Sequence, residues 1–423
     1  MHAPAPQRLL FLDWLRILAF FILVLYHVGM YYVSWDWHVK SDAIVPGLDA
    51  FMLLSAPWRL GLLFLVAGAA GSMALARLGA GAFVRRRSLR LLLPLAFGVL
   101  VVVPPQSWFE VLEDVGYEGG YLRFLGLFLS GYGGFCDQDG CLSMPTWNHL
   151  WFLPYLWAYS LVLAAIATGA GLAAFAGPRP AALARALAGC LQGWKLLVLP
   201  AACLALARAT LLLRFGETHM FYNDAFNHAT YLFLFLLGAL CAHAPECWPR
   251  FTALRWQALG IAATGWAAIV LWRALFARPL PGVDPMAWFP LMAAVHATTA
   301  WCAIVAACGF AARHLDRDGP ARRYLTAAVF PVYIVHQTLI VTLAHTFKPL
   351  KLGPGVEATV LVVLTLTLSF AVFECVRRSA LLRPLFGMPR GLPRGMRAAL
   401  PLQKPPAQAA ATSGPGQAGG RTG

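Results

Sequence analysis

The chain has 423 residues, of which 60% are hydrophobic and only 12% are charged, and its formal net charge is +15. Soluble domains carry roughly 25% charged residues, so this composition excludes a soluble globular protein and indicates an integral membrane protein built as one polytopic bundle. Arg and Lys lie mainly between the hydrophobic stretches and near the C-terminus. This distribution is typical of membrane proteins and argues against binding of nucleic acid.

Ten apolar stretches approach or reach the roughly 20 residues that a helix needs to cross a bilayer. No segment shows a competing strand pattern, so the sequence predicts an all-α polytopic membrane protein with a single bundle of about ten transmembrane helices in residues 1–395. We interpret the first stretch as a retained span, because it is long and contains charged residues. The predicted spans are 9–33, 60–78, 89–106, 149–169, 195–213, 229–243, 255–276, 287–311, 324–345 and 355–376.

The loops between these stretches alternate in charge. One set is rich in Arg and Lys, whereas the longest loop of the other set, at about residues 107–148, has six acidic residues against Arg123. Basic loops remain in the cytoplasm, so both termini are predicted to be cytoplasmic and the acidic loop to face out. Cys136 and Cys141 lie in this loop, where a disulfide is one of two open alternatives. Residues 396–423 are rich in Pro, Ala and Gly and are predicted to be a disordered tail.

Three polar residues share one face of the first predicted span. Arg16 and His27 are eleven residues apart, which places them within about 20° around a helix axis and about 16 Å apart along it. Asp13 lies on the same stripe. Such a face must point into the bundle or into a wet cavity, and it marks a functional site. The structural alternative is an Asp13–Arg16 ion pair and a His27 that only bonds a neighbouring helix.

Arginines also lie in two other predicted spans. Arg87 and Arg90 are three residues apart on the third span, where they either anchor the helix at the cytoplasmic surface or bind an anion. Arg208 lies well inside the fifth span, which indicates a buried partner or an anionic ligand.

Histidines and tryptophans add candidates at the opposite side. His149 begins the fourth span, and His336 lies deep in the ninth, where a histidine more often only packs. Trp37 and His38 lie in "SWDWHVKS", just outside the first span. Aromatic rings beside polar groups can stack on a sugar, although anchoring at the membrane interface is their more common role.

These segments resemble the acyltransferase-3 membrane family, and within it the glucans biosynthesis protein C group. Arg16 and His27 match the family motif of Arg, ten residues and His, and "RSLR" from Arg87 to Arg90 matches its Arg-x-x-Arg motif. "FLDWLR", "DWHVKS", "HLWFL" and "VYIVHQ" resemble further segments in the same order, and the similarity runs from about residue 8 to about 385. Gln337 departs from the His-His-Pro expected of the glucan group, which leaves the acceptor open.

The resemblance implies a bacterial inner-membrane O-acyltransferase that transfers succinyl or acetyl from cytoplasmic acyl-CoA, a co-substrate, to a carbohydrate such as a periplasmic glucan. His27, with Asp13, is then predicted to be catalytic, and Arg16, Arg87 and Arg90 to bind the acyl-CoA. Candidates for the acceptor or for oxyanion binding are Trp37, His38, His149, Arg208 and His336. No bound cofactor, metal ion or nucleic acid is expected.

Histidine suits this reaction because a sugar hydroxyl must lose its proton as it attacks a thioester. An acyl-histidine relay is a second possible use of His27. A different class of protein, a transporter or flippase for an anionic or lipid-linked sugar, would also place arginines and histidines along a buried path.

Overall fold

A computed structural model describes residues 9–136, 140–169, 185–186, 188–276 and 284–389. These residues form α-helices joined by short connections, and the only β-pairing among them is an isolated bridge between Cys136 and Cys141. The helices are α1 Leu10–Met30, α2 Leu48–Ser55, α3 Arg59–Leu78, α4 Ala80–Phe97, α5 Pro104–Asp114, α6 Tyr121–Ser130, α7 Phe152–Thr168, α8 Lys195–Phe215, α9 Ala225–His243, α10 Cys247–Leu275, α11 Phe289–His314, α12 Pro320–Phe347, α13 Pro354–Arg378 and α14 Leu382–Leu385.

The predicted all-α polytopic architecture is confirmed. Nine helical segments in the described part of the chain are long and apolar enough to cross a membrane, and a bent pair of helices makes a tenth. Each predicted span coincides with one of these segments. The predicted tail, residues 396–423, lies outside the described residues.

The third span differs most from its prediction. Helix α4 begins at Ala80, nine residues before the predicted start, and the span bends by 40° before α5. A π-helical turn, Gly98–Val102, and Pro104 lie at the bend, and proline lacks the N–H that would continue the helical hydrogen bonds. Because α4 begins at Ala80, Arg87 and Arg90 lie in the middle of this helix and not at its N-terminal end.

The long acidic loop contains structure that the sequence analysis missed. Helix α5 extends into it, and α6 has fully buried Phe124 and Phe128 while Leu122 is 82% exposed. Helix α6 has ten residues and is too short to cross a bilayer, so the span pattern did not predict it. Cys136 and Cys141 are joined by a disulfide, which was the alternative left open for them.

A pair of glycines fixes helix α3 against helix α9. A Cβ on Gly68 would lie 1.8 Å from the Phe235 carbonyl oxygen, and a Cβ on Gly238 would lie 1.9 Å from that of Leu65. Only glycine lets two backbones approach this closely, as in other membrane helix pairs.

Helix α1 has neighbours along several sides. It contacts α2, α3, α11, α12 and α13, so its polar stripe faces other helices. This position brings α1 side chains together with residues that are distant in the sequence.

Candidate active site

His27 and His336 form a pair of imidazoles between α1 and α12. Nδ1 of His27 lies 2.9 Å from Nε2 of His336, although the residues are 309 positions apart. Their rings are nearly parallel, with an interplanar angle of 6° and centroids 5.1 Å apart. The structure thus joins the predicted catalytic histidine to a residue predicted only as an acceptor or oxyanion candidate.

The hydrogen-bond chain identifies which nitrogen of each neutral ring carries the proton. Nδ1 of His336 lies 2.7 Å from the Tyr333 carbonyl oxygen, which can only accept, so this Nδ1 is protonated. Nε2 of His336 then accepts, and His27 donates to it from Nδ1. This leaves a lone pair on Nε2 of His27, which has no hydrogen-bond partner among the described residues. His27 is therefore prepared to take a proton or to attack a carbonyl.

His149 supports the pair from a third helix segment. Its Nε2 donates to the Ile334 carbonyl oxygen at 3.1 Å, and the Tyr333 hydroxyl donates to its backbone carbonyl. The His149 ring meets the His336 ring edge to face, with centroids 5.1 Å apart. His149 therefore fixes His336 in place and has its own Nε2–H already engaged.

A polar network extends from this histidine cluster toward His38. Nδ1 of His38 lies 2.9 Å from the Glu110 carboxylate, and its Nε2 lies 2.8 Å from the Gln337 amide. Gln337 continues to Gln106 at 3.2 Å, and Gln106 lies 3.4 Å from Nδ1 of His149. Burial lowers the pKa of His38, but the Glu110 carboxylate, together with Asp36 and Asp114, raises that pKa on balance. Gln106 and Glu110 were not predicted as site residues, because amides and acids near a span carry no distinctive motif. Gln337 was noted only as a departure from the expected His-His-Pro.

Trp37 lies beside this network, with its ring centroid 5.7 Å from that of His38.

Arg208 lies apart from the histidine cluster. It is 3.5 Å from the Glu217 carboxylate and lines a separate cavity with Arg273 and His296. Arg208 thus has a carboxylate partner, but Glu217 is 47% exposed and is not the buried partner that was predicted. No described contact joins Arg208 to His27.

Arg16, Arg87 and Arg90 cluster at the end of the bundle predicted to face the cytoplasm. Their guanidinium groups are close enough to repel one another electrostatically. Gly71 makes room for this cluster, because a Cβ there would lie 3.3 Å from Nη2 of Arg87. Among the described residues, neither Arg87 nor Arg90 forms an ion pair or a hydrogen bond from its side chain. Such a concentration of positive charge suits phosphate groups.

Asp13 belongs to an ion network and not to the histidine pair. Its carboxylate pairs with Arg322 and lies 3.5 Å from Arg16. Arg322 is buried and is also 2.8 Å from Asp318. Helix α1 is continuous, so the separation of fourteen positions from Asp13 to His27 corresponds to about 21 Å. The structure therefore does not bring Asp13 to His27, and the Asp13–Arg16 ion pair, the structural alternative, is present.

Arg59 is a buried charge that the sequence analysis missed. It begins α3 and is only 6% exposed, and its guanidinium carbon lies 3.3 Å from the centre of the Tyr26 ring. The predicted span, 60–78, began one residue after Arg59, so Arg59 fell outside the spans that were searched for buried charges. Its burial depends on how α1 and α9 pack against α3, which a single span pattern does not reveal.

Comparison with known proteins gives one family match. No curated protein and no solved structure matches the chain. A family model described as an acyltransferase domain matches residues 9–374, which include the His27–His336 pair and the three clustered arginines. The chain therefore belongs to the acyltransferase domain family Acyl_transf_3 and is a multi-pass membrane acyltransferase.

Proposed function

We propose that this protein is an O-acyltransferase of the bacterial inner membrane that moves a succinyl or acetyl group from cytoplasmic acyl-CoA to a hydroxyl of an extracytoplasmic carbohydrate such as a glucan. The observation that carries the proposal is the His27–His336 pair, in which a 2.9 Å hydrogen bond leaves Nε2 of His27 with a lone pair. His27 lies on the same face of α1 as Arg16, and the chain belongs to a membrane acyltransferase family.

The reaction needs a base. In the proposed mechanism the acceptor hydroxyl attacks the thioester carbonyl carbon while its proton passes to Nε2 of His27. The tetrahedral intermediate then collapses, the carbon–sulfur bond breaks, and the proton leaves with the thiolate as CoA thiol. An ester of the carbohydrate remains. An acyl group carried transiently on Nε2 would use the same lone pair.

The donor is proposed to enter from the arginine cluster. CoA carries several phosphates, which guanidinium groups bind well, and Arg87 and Arg90 have no described counter-ion. Arg16 is about 16 Å from His27 along α1. A long, thin pantetheine arm suits this separation, because it can extend through the bundle while the phosphates stay at the arginines.

The acceptor is proposed to enter from the opposite side. Trp37 offers an aromatic face for a sugar ring, and His38, Gln337 and Gln106 form a hydrogen-bonded series that leads to the histidine cluster. Hydroxyl groups of a carbohydrate can exchange hydrogen bonds with such a network.

The test is release of CoA by purified protein in nanodiscs, with acetyl-CoA or succinyl-CoA and with or without a glucan. We expect release that depends on acceptor, with the preferred donor identifying the acyl group. His27→Ala should abolish it, whereas the matched control His314→Ala, at the exposed end of α11, should not. Folded wild-type protein that releases no CoA with either donor would contradict the proposal.

A further inference from the structure

We propose that Arg59 binds the oxyanion that forms on the acyl carbonyl oxygen during transfer. This inference rests on the proposed acyltransferase function and assigns the oxyanion-binding role in it to a residue that the sequence did not single out. The ligand class is therefore an anion created during the reaction, held by a permanent positive charge beside His27.

The first argument is the burial of Arg59. The side chain is 6% exposed, and its Nε and Nη1 atoms are inaccessible and have no hydrogen-bond partner among the described residues. No described carboxylate forms an ion pair with it. The face of the Tyr26 ring, 3.3 Å away, compensates the charge only in part. A buried, incompletely paired guanidinium strongly destabilises a fold, so its presence indicates that an anion arrives during function.

The second argument is elimination among the neighbours of His27. His336 is hydrogen-bonded to His27, and the His149 ring packs against His336. Arg59 reaches this group through Tyr26: its guanidinium carbon lies 3.3 Å from the Tyr26 ring, whose centroid is 6.1 Å from that of His27. His38 joins the group through Gln337. Both ring nitrogens of His336 are engaged, one by a backbone carbonyl and one by His27. His149 donates its Nε2–H to a backbone carbonyl, and both nitrogens of His38 have partners. Of these described side chains, Arg59 alone has N–H groups, at Nε and Nη1, without a hydrogen-bond partner.

The third argument is rigidity. Tyr26, which supports the guanidinium, directly precedes His27 on α1. Arg59 begins α3, and this helix is fixed against α9 by the contact of Gly68 with the Phe235 carbonyl. A stabilising group for a transition state works best when it needs no reorganisation, and two packed helices hold Arg59 and His27 in a fixed relation.

The chemistry follows from this arrangement. As the hydroxyl oxygen bonds to the carbonyl carbon, the π electrons move to the carbonyl oxygen, which becomes negatively charged. Arg59 donates N–H groups to that oxygen, and His27 holds the proton from the hydroxyl. When the carbonyl re-forms and the thiolate leaves, the charge on the oxygen disappears. The interaction is therefore stronger in the transition state than in the bound substrate, which is what accelerates a reaction.

The test compares Arg59→Met, Arg59→Lys and the matched control Arg214→Met, an exposed arginine at the end of α8. We expect Arg59→Met to lower kcat by about 10²–10³-fold, as removal of an oxyanion donor does elsewhere. KM should change little and the loss should be equal with acetyl-CoA and succinyl-CoA. Arg59→Lys should recover part of the rate. Arg59→Met should not lower the thermal midpoint, because an uncompensated buried charge has been replaced by an apolar side chain.

Two results would overturn the inference while the acyltransferase proposal stands. One is that wild type is active and that kcat of Arg59→Met equals kcat of the control, Arg214→Met. The other is a loss confined to succinyl-CoA, which would make Arg59 a site for the second carboxylate of the acyl group. Wild-type protein with no turnover would instead refute the proposed function itself, so the two failures are distinguishable.

Discussion

Nε2 of His336 accepts a hydrogen bond from Nδ1 of His27 over 2.9 Å, and this contact decides which nitrogen of His27 is free to react. In the proposed mechanism His336 therefore acts through His27, as a positioning residue. The arrangement is the one that general-base catalysis requires, since an orienting group fixes both the ring and its tautomer.

His336→Ala should therefore lower kcat by about 10²-fold or more, with a smaller effect on KM, because His27 loses the acceptor that holds its Nδ1–H. His336→Gln should recover part of the rate, since the amide oxygen can accept from the same nitrogen. Steady-state kinetics of CoA release measures both. Equal kcat in His336→Ala and wild type would remove His336 from the mechanism.

The donor side gives a second prediction. Arg87→Ala and Arg90→Ala should each raise KM for acyl-CoA about tenfold or more, because each removes a charge-assisted contact with phosphate. The dependence of KM on salt should weaken in parallel. Arg85→Ala, an exposed residue of the same helix, is the matched control. A variant whose KM is unchanged would show that the arginine only anchors the helix.

Asp13 should matter for stability and not for chemistry. Among the described residues, Asp13→Asn leaves the buried Arg322 with the exposed Asp318 as its remaining carboxylate partner. We therefore expect a loss of about 3 kcal/mol in folding stability. The folded fraction should keep a kcat close to wild type, because Asp13 is far from His27 along α1. Thermal unfolding followed by kinetics at a lower temperature separates the two effects. A large loss of kcat in folded Asp13→Asn would mean that Asp13 takes part in catalysis.

Sequence reasoning predicted the span pattern well, because twenty-residue apolar helices are required by the bilayer and are visible locally. It also placed His27 and Arg16 on one helix face from their spacing alone. It could not predict the His27–His336 contact, because that depends on which helices become neighbours. Asp13 illustrates the same point, since its stripe was right but its partner, Arg322, lies on a helix near the other end of the chain.

The close approach of α3 and α9 gives a matched stability test. Gly68→Ala places a Cβ 1.8 Å from the Phe235 carbonyl oxygen, so the helices must separate, at a cost of about 1–3 kcal/mol. Gly260→Ala on α10 adds a Cβ with no atom within 4 Å and should stabilise its helix by up to about 1 kcal/mol. Thermal midpoints in the same detergent should therefore move in opposite directions. Equal shifts would mean that α3 and α9 are not in this contact.

The ion pair between His38 and Glu110 predicts how stability depends on pH. Burial lowers the pKa of His38, but Glu110, with further contributions from Asp36 and Asp114, raises it above its ordinary value of about 6.5. A raised folded-state pKa means that the pair stabilises the fold fully below about pH 6.5 and that this contribution is lost as pH rises through the folded-state pKa. Glu110→Gln should thus lower the thermal midpoint in acid and differ less from wild type at alkaline pH.

Thermal unfolding of wild type and Glu110→Gln between about pH 6 and pH 9 measures this difference. Glu118→Gln, an exposed acid in the same loop, is the control and should show a small difference that does not vary with pH. A deficit for Glu110→Gln that stays constant or grows with pH would mean that His38 is neutral in the folded protein. In that case Glu110 would hold His38 only by an uncharged N–H hydrogen bond from Nδ1, and the network from His38 to Gln337 would not carry a titrating charge.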